Sequence, residues 1–71
     1  MLDVEITKEP VELYKILKFE GLVGSGGEAK LAIDSGKVRV NGLTETQKRK
    51  KIVGGDTIEF NNQKLNIVFK R

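Results

Sequence analysis

Between residues 37 and 51 the chain carries Lys37, Arg39, Lys48, Arg49, Lys50 and Lys51, opposed in that stretch only by Glu45. Lysine makes point-charge contacts with phosphate that release condensed counterions, and arginine adds a planar fork suited to a phosphate or a base edge. The spacing sorts these cations into two groups. Lys37 and Arg39 alternate with Val38 and Val40. Because successive side chains of a strand point to opposite faces, one face there is apolar and the other cationic. Lys48 to Lys51 are consecutive and read as a basic connection, which the preceding hairpin is expected to bring close to Lys37 and Arg39. Such clustering implies a polyanionic partner, most simply nucleic acid. The plainer reading of the same residues is a solvated strand face and a solubilising loop.

The rest of the composition narrows the chemistry. The 71 residues include no histidine and no cysteine, so the usual bases, nucleophiles and transition-metal ligands are missing, and neither a zinc site nor a disulfide is expected. Ser25 has no visible activating partner, and Glu9 and Glu12 are accounted for by the positive end of a helix. The expectation is a protein that is not an enzyme and needs no cofactor or metal. Its length allows one domain, residues 1–71. It has neither the basic start and apolar run of a secretion signal nor a stretch approaching the roughly 20 apolar residues of a membrane span, so a soluble cytoplasmic protein is expected. The net charge of +3 is unevenly spread: residues 1 to 12 carry −3 and the remainder +6.

The elements that must position the cations follow from patterning. Leu2, Val4 and Ile6 alternate with acids as a short strand. Pro10 suits the first turn of a helix running to Phe19, with Leu13, Ile16 and Leu17 as its buried stripe. Tyr14 and Phe19 are expected against the sheet, with base stacking as the alternative. Ser25 and Glu28 have capping-box spacing, in which serine caps the helix and glutamate reaches back to the serine amide. The second helix therefore spans Gly26 to Ser35, buries Ala29, Ala32 and Ile33, leaves Leu31 unexplained, and ends at Gly36 in a left-handed conformation. Gly24 to Gly27 could cradle a phosphate at a helix start, but Glu28 already supplies negative charge there and the Gly-Lys-Ser/Thr ending is absent. A strand at Lys37 to Val40, a type I′ turn at Asn41-Gly42 and a short strand from Leu43 to Thr46 come next. Ile52-Val53 anchors the basic run, Gly54-Gly55-Asp56 turns, and strands at Thr57 to Phe60 and around Leu65, Ile67 and Phe69 flank an Asn61-Asn62 turn. The class is α+β: a short N-terminal strand, two packed helices, then a small, mostly antiparallel sheet.

Two short helices, then Gly36-Lys37-Val38-Arg39-Val40-Asn41-Gly42, a basic connection and Gly55-Asp56-Thr57-Ile58-Glu59-Phe60 resemble the small RNA-binding domain named after ribosomal protein S-four, also called the alpha-L motif. The resemblance covers about residues 10–60. Leu17-Lys18-Phe19-Glu20-Gly21-Leu22, Ser25-Gly26-Gly27-Glu28-Ala29-Lys30 and Lys48 to Val53 look like the stand-alone bacterial YbcJ-like group. Members of the wider family occur as RNA-binding parts of ribosomal proteins, pseudouridine synthases, tyrosyl-tRNA synthetases and a heat-shock ribosome-binding protein. The resemblance implies a bare, non-catalytic module, monomeric and ribosome-associated, that recognises structured RNA, ribosomal or transfer. Lys30, Lys37, Arg39, Lys48 and Arg49 match the family's binding positions, with Lys50 and Lys51 in the same connection and Lys18 at the end of the first helix. The chain departs from the family where many members carry Arg-Leu-Asp in the first helix and cations at the start of the second. Val11-Glu12-Leu13 and Gly26-Gly27-Glu28 stand there instead.

Two other classes compete. A ubiquitin-like sulfur carrier shares the size and the α+β plan, but its chemistry needs a C-terminal Gly-Gly, and this sequence ends Val68-Phe69-Lys70-Arg71. A protein-interaction module with a basic face for an acidic partner is the other.

Overall fold

The computed structural model describes residues 2–71, in the order β1 (Leu2–Ile6), β2 (Val11–Glu12), α1 (Leu13–Phe19), α2 (Gly26–Asp34), β3 (Arg39–Val40), β4 (Leu43–Thr44), β5 (Lys51–Ile52), β6 (Thr57–Phe60) and β7 (Gln63–Phe69). Five strands form one sheet in the order β1-β7-β6-β3-β4. Its neighbours are antiparallel except β1 and β7, which run parallel with Leu2 opposite Leu65 and Ile6 opposite Phe69. β2 and β5 make a separate antiparallel pair, with Val11 opposite Ile52 and Glu12 opposite Lys51. The expected α+β architecture is the one observed.

The core is where the two helices meet the inner face of the sheet. α1 buries Leu13, Ile16 and Leu17, and α2 buries Ala29 and Ile33 with Ala32 partly covered. The sheet supplies Val4, Ile6, Val40, Ile58, Phe60, Leu65 and Ile67. Each large aliphatic side chain so buried contributes about 1.5–3 kcal/mol. Tyr14 packs partly against this core, whereas Phe19, expected there too, is 71% exposed. Leu31 lies on the far side of α2 and is 68% exposed.

α2 is closed at both ends by its own neighbours. Ser25 Oγ accepts the Glu28 N–H at 3.2 Å, as the capping box requires. The Glu28 carboxylate reaches back one residue further than expected, accepting the Gly24 N–H at 2.8 Å rather than that of Ser25, whose backbone is extended. The negative charge on that amide also removes the phosphate-cradle reading of the glycines. At the other end Gly36 has φ +76°, with its N–H on Ile33 O and the Lys37 N–H on Ala32 O. This is the double bond of a Schellman closure. It engages Lys37 in ending the helix, so β3 begins only at Arg39, although Val38 is still fully buried.

α1 begins differently from expectation. Pro10 does not open it. The Glu9–Pro10 peptide is cis, Val11 and Glu12 are extended in β2, and the helix starts at Leu13. Neither acid serves the helix end: Glu9 accepts the Gly54 N–H at 2.6 Å, and Glu12 makes no side-chain cap. The connections of the sheet follow the sequence more closely. Asn41 and Gly42 both have positive φ, as do Asn61 and Asn62, so two-residue turns join β3 to β4 and β6 to β7. β4 ends at Thr44; the Glu45 N–H still bonds in register to Val38 O, and beyond it the Gln47 N–H turns to the Glu45 carboxylate. Ile52 alone anchors β5, since Val53 is 40% exposed. Among the described residues no helix is long and apolar enough to cross a membrane.

Candidate nucleic-acid interface

A helix start leaves backbone donors without intrahelical partners. α1 has no local side chain to take them. Its first two, the N–H groups of Leu13 and Tyr14, donate instead to Lys50 O at 2.9 Å and Lys48 O at 3.2 Å. The basic connection is therefore the cap of α1. Two of its carbonyls are drawn into the helix end, and pairing of Lys51 with Glu12 fixes its last residue. The side chains of Lys48, Arg49 and Lys51 stay exposed, and Lys50 is half-buried.

Four further contacts hold the surroundings of this cap. Lys30 Nζ sits 4.8 Å from the centroid of the Tyr14 ring, a cation–π contact between the helices worth about 0.5–1 kcal/mol. One turn further along α2, Asp34 lies 3.6 Å from Lys48 Nζ. Glu12 bridges Arg49 Nε at 3.6 Å and Lys15 Nζ at 3.1 Å. The cations in these bridges are exposed, and such pairs contribute about 0–1 kcal/mol. Glu12 and Asp34 thus orient the basic side chains without neutralising them as tightly held buried pairs would.

Of the residues singled out in the sequence, Lys30, Lys48, Arg49, Lys50 and Lys51 come together at the start of α1. Lys37 and Arg39 lie where the end of α2 passes into β3. Arg39 sits opposite Thr44 and Glu59 on the outer face of the five-stranded sheet, and with Lys37 it lines a polar depression closed by Asn61 and Asn62. Backbone bonds hold Lys48 and Lys50 on α1, while the Glu45 N–H on Val38 O and the Lys48–Asp34 pair tie the same connection to β3 and the end of α2. Lys18 stands exposed in the last turn of α1, away from the capped end.

Two participants escape the sequence pattern. Lys15 joins the cluster through Glu12, the extended residue just before α1, whose carboxylate meets Lys15 in the first turn of the helix. Asn41 does more than turn the chain: its amide donates to Asp56 Oδ1 at 3.0 Å and accepts the Thr57 N–H at 2.9 Å, while Asp56 Oδ2 takes the Val53 N–H at 3.0 Å. This clamp ties the β3–β4 turn to the turn following β5. It gives a physical reason for the Asn-Gly and Gly-Asp pairs at their spacing.

Comparison with known proteins places this geometry. The S4 domain family model matches residues 4–68. The YbcJ protein of Escherichia coli K12, named for a candidate role in RNA binding, is 45% identical over 69 residues, covering 96% of this chain and 99% of the relative. The chain belongs to the S4 domain family. A Shigella flexneri YbcJ protein matches with the same identity and coverage. The solution structure of Escherichia coli YbcJ, presented as an alpha-L motif involved in RNA binding, superposes with a TM-score of 0.73 over 96% of this chain and 87% of the other. The family match extends on both sides of the stretch from 10 to 60, taking in Val4 to Ile6 of β1 and most of β7. Both are integral to the fold through their parallel pairing.

Proposed function

We infer that this chain is a non-catalytic module, residues 1–71 acting as one domain, that binds structured RNA through the cations around the start of α1. The observation that carries this reading is the docking of the basic connection as the cap of α1, which presents Lys48, Arg49 and Lys51 beside Lys30. The S4 family's first-helix cations are absent from Val11-Glu12-Leu13, and the connection supplies positive charge at that same place in space. Lys50 completes the group. Lys37 and Arg39 add a contact area at β3, and Lys18 extends the first along α1. Cations distributed over a helix end and a strand follow a folded RNA backbone by shape, since the deep groove of an RNA duplex hides its base edges. Ribosomal or transfer RNA is the proposed ligand, bound by a monomer in the cytoplasm and in association with the ribosome. The family match and the RNA-binding description of the Escherichia coli structure favour this over a sulfur carrier or a module for an acidic protein.

The test is charge reversal in pairs, with affinity for a folded RNA measured across a salt series. Lys48→Glu with Arg49→Glu is expected to weaken binding most and to flatten the dependence of log affinity on log salt by about 1–2, because each lost phosphate contact removes roughly 0.7–0.9 from the slope. Lys37→Glu with Arg39→Glu should produce a smaller loss. Lys8→Glu with Lys64→Glu makes the same charge change away from both areas. Equal losses in all three pairs would reduce the interaction to general attraction, and unchanged binding in the first would overturn the site.

A further inference from the structure

β1 is an outer strand of the five-stranded sheet. In a parallel pair the backbone groups of alternate residues point to the partner and those between them point away. The bond from Lys70 N–H to Ile6 O shows that Ile6 faces β7. By that alternation Val4 faces β7 as well, and the N–H and C=O groups of Asp3 and Glu5 are directed to the open edge. Among the described residues no backbone group pairs with them.

Sheet edges are usually blunted by lysine, proline, a bulge or a covering loop. β1 has no lysine, proline or bulge within Leu2–Ile6, and its only charges are the acids Asp3 and Glu5, which oppose a second acidic edge and not a basic strand. Beside it runs a groove of about 260 Å³ between β1 and α1, with Val4, Ile6, Val11 and Ile16 along it and the exposed ring of Phe19 as a wall. Glu20 and Lys8 border the groove. On the opposite face of the sheet Asp3 and Glu5 present carboxylates; Lys70 lies 3.4 Å from Glu5 in an exposed pair, and Asp3 accepts from the Asn66 amide at 3.4 Å.

We propose that the open edge of β1 and the groove beside Phe19 form a docking site for an extended peptide whose residues alternate apolar and basic. An added strand would bond to the free groups of Asp3 and Glu5. Its inward side chains would fill the groove, and its outward ones would meet the two carboxylates. The charge pattern selects this occupant over a second copy of the chain, because antiparallel pairing of two β1 strands would set the Asp3 and Glu5 carboxylates of one copy against those of the other. The proposed peptide contacts, the Asp3 and Glu5 backbone and the Phe19 wall, include none of the cations at the start of α1, so loss of peptide binding with RNA binding intact would count against this site alone.

The test uses the intact protein and three end-capped eight-residue peptides: alternating valine and lysine, the same composition as a valine block followed by a lysine block, and alternating valine and glutamate. Titrations are followed by amide NMR and hydrogen exchange. The alternating valine–lysine peptide is expected to protect the Asp3 and Glu5 amides and to shift β1 and Phe19. The other two should bind about tenfold more weakly or less, since they lose either the register or the charge match. Asp3→Lys with Glu5→Lys, checked for an unchanged thermal transition, should weaken the first peptide by a similar factor. Phe19→Ala gives an independent reading of the groove. Unprotected Asp3 and Glu5 amides, equal binding of the block peptide, or a peptide-free dimer pairing through β1 would each overturn the proposal.

Discussion

The two helix starts are capped from different sources. α2 is capped by what precedes and follows it: Ser25 takes the Glu28 amide, and Glu28 takes that of Gly24. α1 is capped by carbonyls of Lys48 and Lys50, far along the chain. A local cap stabilises its own helix and little else. A distant cap makes one set of hydrogen bonds serve both the helix and the segment that reaches it. In this protein that segment carries the densest run of positive charge, so the stability of α1 and the placement of the proposed RNA contacts are one property of the structure.

If that coupling holds, the largest effect belongs to Ile52→Ala. Ile52 is fully buried and is the only anchor of β5. Its truncation should cost about 2–4 kcal/mol. It should also raise hydrogen exchange at the Leu13 and Tyr14 amides and lower RNA affinity even where the protein remains folded. Unaltered exchange at those two amides would separate the cap from its anchor and break the comparison.

Gly54→Ala should be next. A Cβ there would lie 2.8 Å from Phe69 Cβ and 3.0 Å from Phe69 N, so backbone must shift between β5 and β7. A loss of about 1–3 kcal/mol is expected in chemical denaturation, as for other overpacked sites. A wild-type midpoint would show that the approach is looser than these distances.

The smallest effect sharpens the contrast from the other side. Ser25→Ala removes a local cap and should cost about 1 kcal/mol while leaving RNA affinity as it was. A matching fall in affinity would mean that the two helix starts are not independent.

The same distinction explains what could be read in advance. α2, its Gly36 closure, the two-residue turns at Asn41-Gly42 and Asn61-Asn62, and the alternation of β6 and β7 depend on neighbouring residues, and each is observed. The start of α1 was misplaced at Pro10 because the competing partners of Val11, Glu12, Leu13 and Tyr14 lie between Lys48 and Ile52, and no local pattern records that pairing. Glu9 was assigned to a helix end for the same reason; its partner is the amide of Gly54. The site divides likewise. The cations were legible as residue types, but the docking of Lys48 to Lys51 on α1 follows from the β2–β5 pairing and the backbone bonds beside it. Phe19 was expected inside because it is large and aromatic, yet its position in the last turn of α1 leaves it as a wall of the groove beside β1.

The most direct test of the central claim is ultraviolet crosslinking in living cells, reading the attached RNA by sequencing and the attached peptide by mass spectrometry. Adducts are expected on the segments containing Tyr14 and Lys48 to Lys51, on folded ribosomal or transfer RNA, with their loss in Lys48→Glu with Arg49→Glu. Adducts that map to β1, or a yield unchanged by that double substitution, would contradict the claim.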